Sequence, residues 1–317
     1  MDASSMQAPQ SDREPSDDRT ALAIVIVTYN SAEVLPGLLD SLACGLEGVV
    51  RSKVIVVDNR SQDRSVEIAQ AHSSVDRVIQ TGRNAGYAAG VNAATAEIST
   101  SMHLLVLNPD IRLAPGCLVI LLKALGSLKN TGVVVPRMRN QHHLVSKSVR
   151  REPSITTAWS EALLGGSRAA RMGLGEMVED PVLYQKGGKI EWATGAILLI
   201  SAGAREKVGD WDESFFLYSE EVDYLRRTRE AGFDIFYVPQ SEVVHIGGDY
   251  RSSNFLTNLT MANRIKYYRR HHGIVSTTLF QAALVAGECI RLLSRRPRTS
   301  ALAAALGMWN GQNVAGP

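Results

Sequence analysis

Cysteine is scarce in this chain: 317 residues carry three, Cys44, Cys117 and Cys289. Their spacing fits neither a metal knuckle nor a disulfide framework, so reduced thiols in a cytoplasmic compartment are expected. Net charge is nearly absent too, at +2, which excludes the global positive field of a nucleic-acid binder. No positively charged start leads into an apolar run, so no signal peptide is expected. No uninterrupted apolar stretch is long enough to span a bilayer. No internal repeat appears. The glycine-rich segment 82–90 lacks the Gly-Lys-Ser/Thr of a phosphate loop and the glycine spacing of a Rossmann turn. Its glycines instead let backbone approach a ligand closely.

What is present is an ordinary globular composition, 45% hydrophobic, and length for one large α/β domain or two modest ones. Residues 21–27 form a continuous apolar run that ends in Thr28, Tyr29 and Asn30. A helix is expected from Ser31, with Leu35, Leu38, Leu39 and Leu42 inward. Residues 53–57 are a second buried strand, ending in Asp58. Residues 77–80 are a short third, and 104–107 a fourth, ending in Asn108, Pro109 and Asp110. A helix over 114–128 should follow. Strand then helix, repeated, predicts a mostly parallel sheet. The polar strand ends at Tyr29, Asp58 and Asp110 then share the carboxyl rim, where open α/β sheets bind ligands. Residues 133–137 read as a strand. Residues 141–181 read as loop and short helix, partly mobile. Residues 233–238 and 242–246 read as two short strands.

The candidate chemistry sits on these ends. Asp110 can ligate a hard cation that holds phosphate oxygens, or it can serve a simple Asn-Pro-Asp turn. Asp58 can accept from a base or ribose, or cap the next helix. Glu220, Glu221 and Asp223 follow the apolar segment Phe215, Phe216, Leu217 and Tyr218. Acids favour a helix's first turn, but a carboxylate beside aromatic rings also suits a general base. Asp223 and Arg227 stand one helical turn apart and can pair. His245 ends a short strand before Gly247, either as a metal ligand or as a structural imidazole.

In order, Val-Ile-Val-Thr-Tyr-Asn-Ser, Val-Val-Asp-Asn-Arg-Ser-Gln-Asp, Gly-Arg-Asn-Ala-Gly-Tyr, Leu-Asn-Pro-Asp, Thr-Gly-Ala, Phe-Phe-Leu-Tyr-Ser-Glu-Glu-Val-Asp and Val-Val-His span residues 21–275. This ordered set resembles the family 2 glycosyltransferases of GT-A fold, most closely their rhamnosyltransferase-like branch. The resemblance implies an α/β domain with a mostly parallel central sheet flanked by helices and a helical C-terminal extension. Residues 1–20 would be a disordered tail, 21–250 the catalytic domain and 251–317 a basic, amphipathic helical region.

It also implies roles. Thr28, Tyr29 and Asn30 would border the nucleotide, and Asp58 would contact its base. Arg83, Asn84, Asn108 and Arg227 would lie with the nucleotide-sugar. Asp110 would ligate Mg2+ or Mn2+ through the diphosphate, with His245 as second contact and Asn108 replacing the first acid of the usual Asp-x-Asp. Trp192, Gly195 and Ala196 would line the acceptor site. Glu221 stands where the family's catalytic Asp usually is, with Asp223 as rival base. The implied reaction is inverting sugar transfer, rhamnose from a deoxythymidine-diphosphate donor, to a glycan or polyprenyl-diphosphate-linked hydroxyl. A uridine-diphosphate donor (galactofuranosyl or N-acetylglucosaminyl type) and a non-catalytic nucleotide-sugar-binding protein are the alternatives. The basic residues around Tyr267 and Tyr268, and the apolar helix after them, suit the cytoplasmic face of the plasma membrane, or packing on the sheet or on a second subunit as a homodimer.

Overall fold

The computed structural model describes residues 21–247, 254–293 and 299–309. The expected N-terminal tail, and Arg295, Arg296 and Arg298 of the basic C-terminal region, lie outside the described residues.

The chain opens with β1 (Leu22–Thr28), α1 (Leu35–Gly45), β2 (Ser52–Asp58), α2 (Ser65–Ala71), β3 (Arg77–Gln80), α3 (Tyr87–Thr95) and β4 (His103–Leu107). Helix α1 starts at Leu35 rather than Ser31, because Pro36 is tolerated only in a first turn. Ser31 instead closes a turn, its carbonyl accepting from the Val34 and Leu35 amides at 3.0 and 2.8 Å. A three-residue strand absent from the sequence reading, β5 (Ile111–Leu113), follows, then α4 (Cys117–Ser127) and β6 (Thr131–Arg139).

The middle region is more regular than expected. It holds β7 (Val149–Arg150), α5 (Ile155–Leu164), α6 (Gly166–Arg171), α7 (Pro181–Lys186), β8 (Gly188–Ile190), β9 (Trp192–Ala193) and β10 (Ile197–Ile200). Helix α5 is fixed by a capping box between Ser154 and Thr157. Then come α8 (Ala202–Val208), α9 (Glu220–Glu230) and β11 (Asp234–His245), followed by α10 (Asn254–His271), α11 (Ile274–Leu293) and α12 (Thr299–Ala305). The two strands expected at 233–246 are one, β11, with a register shift between Val238 and Glu242 where Pro239 interrupts the ladder.

The nine-stranded sheet has the order β3-β2-β1-β4-β10-β6-β11-β5, with β8 on β11. Strands β1, β2, β3, β4, β6 and β11 run one way, and β5, β8 and β10 run against them. The sheet is thus mixed, with the parallel direction dominant. Its centre is buried on both faces. Along β1, Ala23, Val25 and Val27 enter one core and Leu22, Ile24 and Ile26 the other. That alternation inside an all-apolar run is what a sheet between two helical layers requires. Helices α1 and α4 cover the second face; α3, α8 and α9 cover the first. A third apolar cluster joins α10, α11 and α12 to Ala158 of α5, so the C-terminal helices dock on the main body.

No bilayer-spanning run was expected from sequence. Helix α11, 20 residues whose most apolar stretch of 18 has mean hydropathy 1.2 and is one-third buried, nonetheless has the length and composition to cross one. It also carries the buried Glu288, which pairs with Arg291.

Candidate active site

Registers Thr28↔Asp58, Asp58↔Gln80 and Ile26↔Leu107 bring the carboxyl ends of β1, β2 and β4 to one edge. Asp58 is buried there and already partnered. Its Oδ1 accepts from Thr28 Oγ1 at 3.1 Å and from the Ser61 hydroxyl, and its Oδ2 from the Ser61 amide at 2.9 Å. Asn30, in the left-handed region at φ 49°, donates its amide to Ser61 Oγ at 2.8 Å. Its Oδ1 accepts from the Gln62 amide at 2.7 Å. Tyr29 is half-buried and Asn30 exposed beside this lock. So Asp58 orders the loop that borders the rim, with Ser61 as its partner.

The glycine-rich loop closes the same edge. Gly86 sits at φ 91°, and a Cβ there would lie 2.3 Å from the Phe216 carbonyl oxygen. Tyr87 donates its amide to that oxygen at 2.9 Å, and Asn59 Nδ2 donates to the Gly86 carbonyl at 2.9 Å. Asn84 Oδ1 accepts weakly from the Gly86 amide at 3.4 Å, and Arg83 is exposed alongside. The requirement for glycine at 86 therefore comes from close backbone approach of the segment before α9.

Asp110 and His245 meet. Strands β5 and β11 pair antiparallel with His245 opposite Ile111, and the Ile246 amide donates to the Asp110 carbonyl at 3.1 Å. His245 Nε2 lies 3.0 Å from Asp110 Oδ2, with Asp110 1% exposed. Among the described residues no group of three His, Cys, Asp or Glu is placed to hold a metal. One carboxylate and one imidazole side by side are donors that could hold a divalent transition cation such as Mn2+. Asn108, half-buried, donates its amide to the Ala196 carbonyl at 2.9 Å.

That bond leads straight to the acidic cluster. Gly195 precedes Ala196, and a Cβ on it would lie 3.1 Å from Glu221 Cβ. Glu221 therefore packs against the Gly195–Ala196 turn, two peptide units from the Asn108 contact. Burial raises the Glu221 carboxyl above its usual range, partly offset by the amides of Glu221, Ser219, Val222 and Gly195. Burial, and then the Glu221 charge, hold Glu220 well above that range. Just upstream, Tyr218 and Ser219 adopt φ 70° and 73°. Side-chain-bearing residues in this region cost about 1–3 kcal/mol each and cluster at functional sites.

Asp223 turns the other way. It is fully buried, with Arg227 Nε 2.8 Å from Oδ2 and His271 Nε2 2.9 Å from Oδ1. Arg227 also donates to the carbonyls of Val208 and Asp210 at 2.9 and 3.0 Å. The expected pairing of Asp223 with Arg227 is present. Arg227 and Asp223, expected as a nucleotide-sugar contact and as rival base, stand in an ion cluster that ties α9 to α10. Trp192 also departs from expectation: it is buried in the core and its indole Nε1 donates to the Arg151 carbonyl at 2.7 Å.

With this geometry in view, comparison with known proteins decides the family. A model of glycosyl transferase family 2 matches residues 23–178. Over 241 residues, 71% of this chain and 75% of the relative, the sequence is 31% identical to an N-acetylglucosaminyl-diphospho-decaprenol L-rhamnosyltransferase of Mycobacterium tuberculosis. The chain belongs to glycosyltransferase family 2. It is 24% identical over 229 residues, 70% of this chain and 82% of the relative, to rhamnosyltransferase WbbL of Escherichia coli. A mannosyltransferase from Pyrobaculum calidifontis, solved with GDP-Man and Mn2+, aligns over 90% of this chain and 86% of its own with a TM-score of 0.52 at 14% identity. The fold is GT-A and the chain is a glycosyltransferase, as the motif order implied.

Proposed function

We propose that this chain is an inverting rhamnosyltransferase that uses a deoxythymidine-diphosphate sugar and an acceptor hydroxyl on a glycan or polyprenyl-diphosphate lipid. The observation that carries the reading is the contiguity from Asp110 and Asn108 through Ala196 and Gly195 to Glu221. It supports a reading in which Asp110 would hold a cation and Glu221 would accept a proton at one sheet edge. The names of the two rhamnosyltransferase relatives support the sugar assignment.

In this reading the loop locked by Asp58, Ser61 and Asn30 borders the nucleotide, and Arg83 and Asn84 lie towards the sugar. Asp110 and His245 would hold a divalent cation, whose charge would offset that on a departing diphosphate. Glu221, made more basic by burial, takes the proton from the acceptor hydroxyl as that oxygen attacks the anomeric carbon. Gly195 keeps room for the acceptor, since any side chain there would press on Glu221. Donor binding and proton removal thus fall to different elements that share one cleft.

The apolar side of α11 supports contact with an anionic membrane. Val275, Leu279, Ile290 and Leu293 are exposed at helical spacing, with no acidic residue among them. Arg168, Arg171 and Arg291 line the groove beside that helix. A helix of this kind lies in the interface with its basic groups at the headgroups.

Thermal shift and transfer assays test the sugar assignment together. Deoxythymidine-diphosphate rhamnose with Mg2+ should raise the unfolding midpoint, by about 2.7 kcal/mol of stability at a hundred times its Kd. UDP-N-acetylglucosamine and UDP-galactofuranose should not. Transfer should stop on chelation with EDTA. A larger shift with a uridine donor, and its consumption with acceptor, would reassign the donor.

A further inference from the structure

Helix α10 carries polar side chains that neither the motifs nor the reaction have used. Asn263, Lys266, Arg270 and His271 recur at helical spacing and share one face. That face meets the irregular segment leading into α9. The Lys266 ammonium donates to the Ser214 carbonyl, Arg270 pairs with Asp212, and His271 reaches Asp223. Asn263 is 5% exposed, and its Nδ2 donates to two successive carbonyls, Leu217 at 2.9 Å and Tyr218 at 3.1 Å. The preceding carbonyl, Phe216, accepts from the Tyr87 amide at 2.9 Å.

Three consecutive carbonyls are therefore fixed from outside the segment, two of them by one amide. They run into the left-handed pair Tyr218 and Ser219, the last carbonyl being that of Tyr218 itself, and Glu221 comes two residues after Ser219. Ser219 has the N-cap position of α9 without capping it through its side chain. A pair of non-glycine residues at positive φ persists only where surrounding groups over-determine it. The Asn263 amide is placed to do so, because rotating either peptide away from it breaks a bond to a buried donor.

We propose that Asn263 is a positioning residue for sugar transfer: its bonds to Leu217 and Tyr218 hold the strained bend that aims Glu221 at the acceptor hydroxyl. The C-terminal extension then forms part of the reacting site. This rests on the reading of Glu221 as the base, and the test keeps the two claims apart.

Steady-state transfer is measured for wild type, Asn263→Ala, Glu221→Gln and the double variant. The probes are deoxythymidine-diphosphate rhamnose and a short-chain N-acetylglucosaminyl-diphospho-lipid. Rates are counted per donor-binding site, so a poorly folding variant still reports. Asn263→Ala should lower kcat about 10- to 100-fold, the scale of a misplacement near 1 Å, with the donor KM within about twofold of wild type. On the Glu221→Gln background the same substitution should cost less than about threefold, since there is no base left to misplace. Amide exchange over residues 217–223 should accelerate in Asn263→Ala while β1 and β2 stay protected. Unchanged kcat, or losses that multiply in the double variant, would overturn the positioning role. Full activity in Glu221→Gln would overturn the base instead.

Discussion

On the donor side, the groups delivered by the strand ends are tied to one another before any ligand arrives. Asp58 accepts from Thr28 and Ser61, Asn30 binds both Ser61 and Gln62, and Asp63 accepts from the Ala32 and Ser65 amides. Around the start of α9, the proposed reacting side, Glu220 is buried and Glu221 half-buried beside it, each with one buried Oε lacking a hydrogen-bond partner, behind a strained bend. The contrast is physical. A surface that binds a nucleotide gains from being rigid and satisfied, because little ordering remains to be done on binding. A carboxylate that must take a proton near neutral pH cannot be fully satisfied, or its proton affinity falls. The fold thus concentrates its electrostatic imbalance at α9 and keeps the β1–β2 loops balanced.

The largest expected effect breaks the reacting side. Glu221→Gln should lower kcat on the order of a hundred- to ten-thousand-fold. Donor affinity, read by nucleotide titration, should stay within a few-fold of wild type. Next comes the ion cluster behind it. Asp223→Ala strips a fully buried carboxylate from Arg227 and His271, and should destabilise the fold by about 3–5 kcal/mol in urea denaturation. If Asp223→Ala leaves stability intact but abolishes turnover, the two acidic residues have been assigned the wrong way round.

A smaller effect sharpens the imbalance itself. Glu220 has its proton affinity raised in the folded state, from an ordinary 4.5, by burial and by Glu221. The native protein therefore holds a proton that the unfolded chain has released, and stability falls as pH rises from 4.5 towards the folded value. Glu220→Gln should remove that slope, at most about 1.4 kcal/mol per pH unit. Stability curves for the two proteins should converge near pH 4 and diverge above it. The smallest effect belongs to the donor side. Ser61→Ala deletes a hydroxyl shared by Asp58 and Asn30 and should cost about 1 kcal/mol of stability, with kcat close to wild type.

Much of the donor side was legible because β1, β2 and β4 are buried on both faces, and such strands write themselves as unbroken apolar runs. Their polar ends then mark the rim, and the positions of Asp58, Asn108 and Asp110 at that edge follow from those runs. The reacting side was legible only in part. Strand β5 is too short to leave a pattern, and β11 reads as two strands because Pro239 and the register shift interrupt it. Strand β10 enters between β4 and β6 against their direction, a pairing no local pattern announces. Asp223 looked like a catalytic candidate because its partner His271 lies 48 residues away. Asn263 escaped notice for the same reason, since its two carbonyl partners belong to another element. Trp192 resembled an acceptor platform, but its indole is spent inside the core.

In the proposed site, Asp110 and Glu221 face the same bound diphosphate-sugar from opposite walls of one cleft. Crystals soaked with Mn2+ and deoxythymidine diphosphate, measured at the manganese absorption edge, test it directly. The account predicts an anomalous peak bonded to an Asp110 oxygen and to diphosphate oxygens, with the Glu221 carboxylate across the open sugar-sized space beyond. A peak away from Asp110, or a diphosphate bound where Glu221 cannot reach the sugar position, would contradict it.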